Sequence, residues 1–273
     1  MKLKDTCAKQ LNKKLFISDL DGTLLKIGDE YSKGVSDENR KAILEYVARG
    51  NVFAIASARD NYLDEISPIL GFRPSYIGGN GSVIIIDNEI DRLYLNKGVY
   101  NKTLEYIRKN NMDASVLYGT TDGEYINDYD HYPNNCETTK RPKGIFDRLP
   151  LLDTEDDGKC YSLAILIRDD QLQSCKEGLK QYLNDMAEVV SSDTDLININ
   201  PKNCTKGKGV LRLAMKLGID IKNVGVVGDS ENDISMFDVV ENSYVMDHAS
   251  DDVKSHARYT VKNVKEALEI FDK

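Results

Sequence analysis

The 273-residue chain is 41% hydrophobic and 30% charged with only 6 prolines, which describes a globular protein of one large or two modest domains rather than a disordered one. Its net charge of −9 argues against non-specific binding to nucleic acid or to an anionic membrane, since both reward clustered positive charge. Apolar runs such as residues 83–86 and 163–167 are too short to span a bilayer, and residues 1–14 carry lysines without the apolar stretch of a secretory signal.

In chain order, residues 15–18 read as a buried strand. Residues 36–49 read as a helix, with Ile43, Leu44, Val47 and Ala48 on one face and Ser36 as its N-cap. A second buried strand over 52–56 leads to a helix over 60–70 that Gly71 closes. Residues 82–87 and 89–95 flank an Asp-Asn turn and predict a hairpin. A helix over 99–110, a strand over 114–118, a polar stretch over 128–157, a strand over 161–167, a helix over 171–184 and a strand over 188–191 follow. The carboxy end returns to helix 207–217, strand 224–227, helix 233–240, strand 243–246 and helix 264–271. Continuous apolar strands alternating with helices at both ends predict an α/β fold with a Rossmann-like, doubly wound parallel sheet. The expected division is a discontinuous core, 1–80 with 200–273, around an α+β insert of 81–199. Gly78-Gly79-Asn80-Gly81 is the expected entry hinge and Asn200-Pro201 the exit.

Cys7, Cys136, Cys160, Cys175 and Cys204 are odd in number and include no CxxC pair, which reads as reduced thiols in a cytoplasmic protein. His131, His248 and His256 lack zinc-ligand spacing, so the chemistry of an enzyme built from this chain would run on carboxylates. Asp19-Leu20-Asp21-Gly22-Thr23 ends the first strand, and strand alternation puts Asp19 and Asp21 on one side of the chain. Two like charges so close are costly without a cation or a shared proton, whereas a plain Asp-Gly turn is the competing reading. Gly228-Asp229-Ser230-Glu231-Asn232-Asp233 follows another core strand, where hard oxygen ligands suit Mg2+ and helix capping is the alternative. Ser57-Ala58-Arg59 offers a hydroxyl and backbone N–H groups, as an anion site or as a helix cap. Lys206, before Gly207, could reach a phosphoryl oxygen or stand in solvent. Three of these motifs directly follow predicted core strands, the edge at which open α/β sheets bind ligands. Carboxylates, a cation site, N–H donors and a lysine together meet the needs of phosphoryl transfer.

With these residues in hand, the sequence resembles the haloacid-dehalogenase-like superfamily of phosphohydrolases, and within it the Cof-type (IIB) subgroup of sugar-phosphate phosphatases. The resemblance rests on Asp19-Leu20-Asp21-Gly22-Thr23, Ser57-x-Arg59, Lys206-Gly207 and Gly228-Asp229-x-x-Asn232-Asp233, in the family's order. Asn80-Gly81 also resembles the family's junction into its cap domain, and residues 257–261 its last strand. Ser57 to Lys206 is far more chain than one crossover needs, which places the insert where the family carries its larger cap.

The resemblance implies that Asp19 attacks phosphorus to form an aspartyl-phosphate and that Asp21 acts as general acid and then base. It implies Mg2+ held by Asp19, the Asp21 backbone carbonyl and Asp229, with Asp233 and Asn232 in support. Ser57, Lys206 and Asn232 would hold the phosphoryl group, with Arg59 either beside them or in a surface ion pair. The expected substrate is a small phosphomonoester chosen by the cap, in a monomer or weak homo-oligomer. Within the cap, Lys140, Arg141 and Lys143 form a basic cluster that reads as a solvated loop or as a second anion subsite, and Tyr125, Tyr129 and Tyr132 read as packing or sugar-facing groups. The chain departs from the family in carrying Asp247-His248-Ala249 where Gly-Asn-Ala is common, and Ala58 where glycine is frequent. A phosphomutase is the rival enzyme, and a phosphate-responsive regulator the non-enzyme rival.

Overall fold

The computed structural model describes residues 13–25, 34–120, 123–133, 149–151 and 159–273. Among these the chain folds into two compact units, one of the described residues up to Asp91 together with Lys206–Lys273, the other within Arg92–Thr205. The Lys140, Arg141 and Lys143 cluster, Cys7 and Cys136 lie outside the described residues.

The first unit begins with β1 (Leu15–Asp19), α1 (Asp37–Ala48), β2 (Val52–Ala56), α2 (Leu63–Leu70), β3 (Ser75–Gly78), β4 (Val83–Ile86) and β5 (Glu89–Arg92). The inserted unit holds α3 (Val99–Lys109), β6 (Ala114–Thr120), β7 (Gly123–Ile126), β8 (Cys160–Ile167), α4 (Asp169–Leu183), β9 (Ala187–Asp193) and β10 (Leu196–Pro201). The first unit resumes with α5 (Lys206–Leu217), β11 (Val224–Gly228), α6 (Ile234–Phe237), β12 (Asn242–Met246), α7 (Asp251–Ser255), β13 (Tyr259–Val261) and α8 (Val264–Phe271).

Eight strands of the first unit form one sheet in the order β13-β12-β11-β1-β2-β3-β4-β5. Pairing is parallel from β13 to β3 and turns antiparallel at β4. β1 is buried along its whole length, because alternate side chains enter opposite layers of helix. Leu15 and Ile17 pack in one cluster with Val210, Leu213 and Ala214 of α5. Phe16 points the other way, against Tyr46 of α1 and Phe271 of α8, with ring centroids 6.4 and 5.5 Å apart. Each such buried side chain contributes roughly 1.5–3 kcal/mol. Ser36 caps α1 as the sequence predicts, accepting from the Asn39 N–H. Asn39 in turn accepts from the Lys265 N–H in α8, so the two helices of this layer are tied at their starts. The parallel, doubly wound α/β core expected from the alternation is the observed architecture.

The predicted hairpin forms, but as part of this sheet. β4 pairs with β3, and the first compact unit runs on to Asp91, beyond the glycine-rich turn at which the insert was expected to begin. Arg212 of α5 donates to the Gly81 carbonyl at 2.8 Å and pairs with Asp91 at 3.0 Å, while Lys216 also stands 3.0 Å from Asp91. The Lys216 hydrogen bond, with help from Arg212, holds the Asp91 carboxyl below the usual range.

The inserted unit is α+β, a five-stranded antiparallel sheet ordered β7-β6-β8-β10-β9 with α3 and α4. Val116, Leu163, Ile165, Ile197 and Ile199 of the sheet share a core with Val99 and Ile107 of α3 and Leu179 of α4. Tyr132 is buried and its hydroxyl donates to Asp195 at 2.8 Å, a packing role. Cys160, Cys175 and Cys204 are buried and form no disulfide among the described residues. No helix among them is long and apolar enough to cross a membrane.

Candidate active site

The alternation that sends Leu15 and Ile17 toward α5 sends Asp19 the same way, and Lys206 is the first residue of that helix. The Lys206 ammonium, 1% exposed, lies 2.6 Å from Asp19 Oδ1 and 2.6 Å from Asp233 Oδ1. It is no solvated lysine. Asp229 directly follows β11, and Asp233 ends a 3-10 turn over Glu231–Asp233. Asp233 Oδ2 accepts the backbone N–H groups of Asp229 and Ser230 at 2.9 and 3.0 Å, so this carboxylate both caps the turn and holds Lys206. The capping reading of the motif is thus realised, and the same carboxylate meets Lys206.

Asp19, Asp229 and Asp233 each offer an oxygen, all within 4.8 Å of one another. Asp229 Oδ1 accepts from the Thr23 hydroxyl at 2.7 Å. Gly22, at φ +90°, lets the chain turn there, and a Cβ on it would stand 2.5 Å from Asp229 Oδ2. Three carboxylates face one ammonium. Burial pushes the Asp19 carboxyl well above the usual range, against the pull of Lys206, and Asp233 and Asp229 push it further. Burial and then Asp233 also raise Asp229. Burial alone would lower Lys206, but Asp19 and Asp233 outweigh it and hold the ammonium charged.

This donor set fits a divalent cation. The ligands are hard carboxylate oxygens, three carboxylates stand against one ammonium, and Asp19 Oδ2 is buried without a hydrogen-bond partner.

Asp21 does not join the cluster. Its carboxylate is about half exposed and takes a two-pronged contact from Arg59, 2.9 Å from Nε and 2.8 Å from Nη2. The Arg59 guanidinium also lies 4.6 Å from the Tyr62 ring centroid. Ser57 is buried at the end of β2, and its hydroxyl accepts from the Arg59 N–H at 3.0 Å. It caps no helix, because α2 starts only at Leu63. Asn232 donates from Nδ2 to Asn80 Oδ1 at 2.9 Å, both side chains being buried. His248 Nε2 stands 3.6 Å from Asp229 Oδ2 with the ring half exposed. In sequence Thr23 stands only as the last residue of the first motif and Asn80 only as part of the expected hinge, with no side-chain role in the site for either. For Thr23 the signal was a hydroxyl beside the carboxylate pair, and its partner, Asp229, lies far along the chain.

The start of α5 admits Lys206 because Gly207 follows it. A Cβ at Gly207 would run into the Ser235 carbonyl. Gly207→Ala is expected to lower stability by about 1–3 kcal/mol despite alanine's better helix propensity, read as a reduced urea midpoint. An unchanged midpoint would mean that the two segments are not in this contact.

Residues 16–267 match the family of haloacid dehalogenase-like hydrolases. The chain is 28% identical to the 5-amino-6-(5-phospho-D-ribitylamino)uracil phosphatase YwtE of Bacillus subtilis, over 90% of this chain and 91% of that one. It is 26% identical to a phosphoglycolate phosphatase of Methanobrevibacter smithii, over 93% and 96%. In structure it is similar to the HAD subclass IIB sugar phosphatase BT4131, with a TM-score of 0.78, 17% identity, and coverage of 95% of this chain and 99% of the other, a likeness of fold.

Proposed function

The chain belongs to the haloacid dehalogenase-like hydrolase family, and from that premise we propose that it is a Mg2+-dependent phosphatase of small phosphomonoesters, sugar phosphates or related metabolites, working through an aspartyl-phosphate on Asp19. The observation that carries this reading is the buried group of three carboxylates around one ammonium, with Asp19 Oδ2 unpartnered at its centre. Relatives that are phosphatases of a phosphorylated ribityl compound and of phosphoglycolate support a small phosphate ester as substrate.

Asp19, Asp229 and the Asp21 backbone carbonyl, with Asp233 and Asn232 in support, would hold Mg2+. Bound there, the ion would neutralise the carboxylates and the phosphoryl charge. Asp19 attacks phosphorus, the bond to the alkoxide breaks, and Asp21 gives that alkoxide its proton. Asp21 then takes a proton from water, whose oxygen attacks phosphorus, and the bond to Asp19 breaks to release phosphate. To reach the leaving oxygen, Asp21 exchanges its Arg59 partner for the substrate. Lys206 meets the developing charge on the phosphoryl oxygens, with Ser57 and Asn232. The inserted unit acts as the cap that selects the substrate. A reducing cytoplasm and a monomer or weak homo-oligomer complete the proposal.

The test is release of inorganic phosphate from a panel of sugar phosphates, nucleotides and other metabolite esters. Turnover is expected with Mg2+ and is expected to vanish in EDTA. Mg2+ alone, at about 100 times its dissociation constant, should add about 2.7 kcal/mol to the unfolding free energy. Isomerised phosphosugar without phosphate release would make the protein a mutase, and no turnover on any ester would favour a regulator.

A further inference from the structure

The amide pair of Asn80 and Asn232 is only half satisfied. Asn80 is 1% exposed and Asn232 7% exposed, and their single bond uses Asn232 Nδ2 and Asn80 Oδ1. Asn80 Nδ2 and Asn232 Oδ1 are buried with no hydrogen-bond partner among the described residues. Buried amide groups are almost always satisfied, so a donor and an acceptor left over side by side point to a ligand that completes them.

The sheet order says where they lie. Asn80 follows β3 and Asn232 follows β11, and β1 and β2 stand between those strands. Three strand spacings, about 14 Å, separate β11 from β3 at the sheet. The side chains meet only by closing over the ends of β1 and β2, where Asp19 and Ser57 stand. The backbone agrees, since the Asn80 N–H donates to the Ser57 carbonyl at 3.0 Å. On the other side, Asn232 precedes Asp233, whose carboxylate holds Lys206. Asn80 also adopts φ 52° and ψ 33°, between two glycines of positive φ. Glycine would serve that backbone with less strain, so what asparagine adds is its side chain.

We propose that Asn80 is a phosphoryl-binding residue, presenting its unpartnered amide NH2 to a non-bridging oxygen of the substrate phosphate, with Asn232 holding the amide in that orientation. This rests on the phosphatase reading of the same site. A fully ionised phosphate accepts hydrogen bonds and gives none, so it matches the left-over donor.

Two variants separate binding from support. Asn80→Gly keeps the left-handed backbone and deletes the amide. Asn80→Asp keeps an acceptor for Asn232 and replaces the donor with an oxygen that repels phosphate. The probe is inorganic phosphate in the presence of Mg2+, measured by calorimetry and as a competitive inhibitor of turnover. Asn80→Gly is expected to weaken phosphate binding about tenfold with Mg2+ affinity in the absence of phosphate unchanged within about twofold, and Asn80→Asp is expected to weaken phosphate binding more than that. A purely structural pair gives the opposite order, because Asn80→Asp restores the bond to Asn232 and would bind phosphate like the parent. That result overturns the role of Asn80 and leaves the phosphatase reading standing. A parent protein that binds no phosphate with Mg2+ overturns both.

Discussion

Asp19→Asn is expected to abolish turnover, by about 10⁴-fold or more, and to leave no phosphoprotein on acid quench with labelled substrate. The amide is nearly isosteric with the carboxylate, so lost turnover would report chemistry rather than collapse. Stability should move the other way. In EDTA, burial and two neighbouring carboxylates raise Asp19 above its unfolded value. The unfolded chain therefore releases this proton at a lower pH than the folded one, and stability is lost as pH rises from the unfolded value toward the folded one. The asparagine variant lacks that loss. Its stability relative to the parent should grow as pH rises above about 4 in EDTA, measured by urea unfolding. Residual turnover near the parental rate would sink the nucleophile assignment.

Lys206→Met carries the second large effect. The methionine fills a similar volume but leaves Asp19 and Asp233, both buried, without the ammonium that lies 2.6 Å from each. Breaking a buried pair from one side costs about 3–5 kcal/mol, so in EDTA the variant should unfold at far lower urea than the parent. Saturating Mg2+ should return part of the difference, because the ion binds the same carboxylates and only in the folded state. Turnover should stay low even then, since the charge opposite the phosphoryl oxygens is gone. Equal stability of variant and parent in EDTA would show that Lys206 does not neutralise this cluster.

Much of this arrangement can be read from local patterns. The apolar runs around Phe16 and Val226 announce strands buried on both faces, and Asp19 and Asp229 stand at their ends because each run stops there. Other parts depend on partners distant in sequence. β3 reads as no strand, since Ser75-Tyr76-Ile77-Gly78 is short and follows a proline; its place between β2 and β4 makes it one. β10 alternates Ile197 and Ile199 with Asn198 and Asn200, and asparagine signals turns, so its end reads as an exit linker. Pairing with both β8 and β9 overrides that preference. The glycines from Gly78 to Gly81 mark a real turn, but that turn leads into another strand of the same sheet. Lysine-rich sequence around Lys206 gives no sign of which lysine is buried, because only the folded sheet brings Asp19 and Asp233 to it. The resemblance to a family supplied the order of the motifs, and the bonds among Thr23, Asn80 and their partners emerged only in three dimensions.

Arg212 grips Gly81 and Asp91 from within the helix that Lys206 opens. The chain departs just after Asp91 and comes back at Lys206, the residue that opens the helix bearing Arg212. Departure and return are thus fastened to one rod, and the rod also carries the buried ammonium.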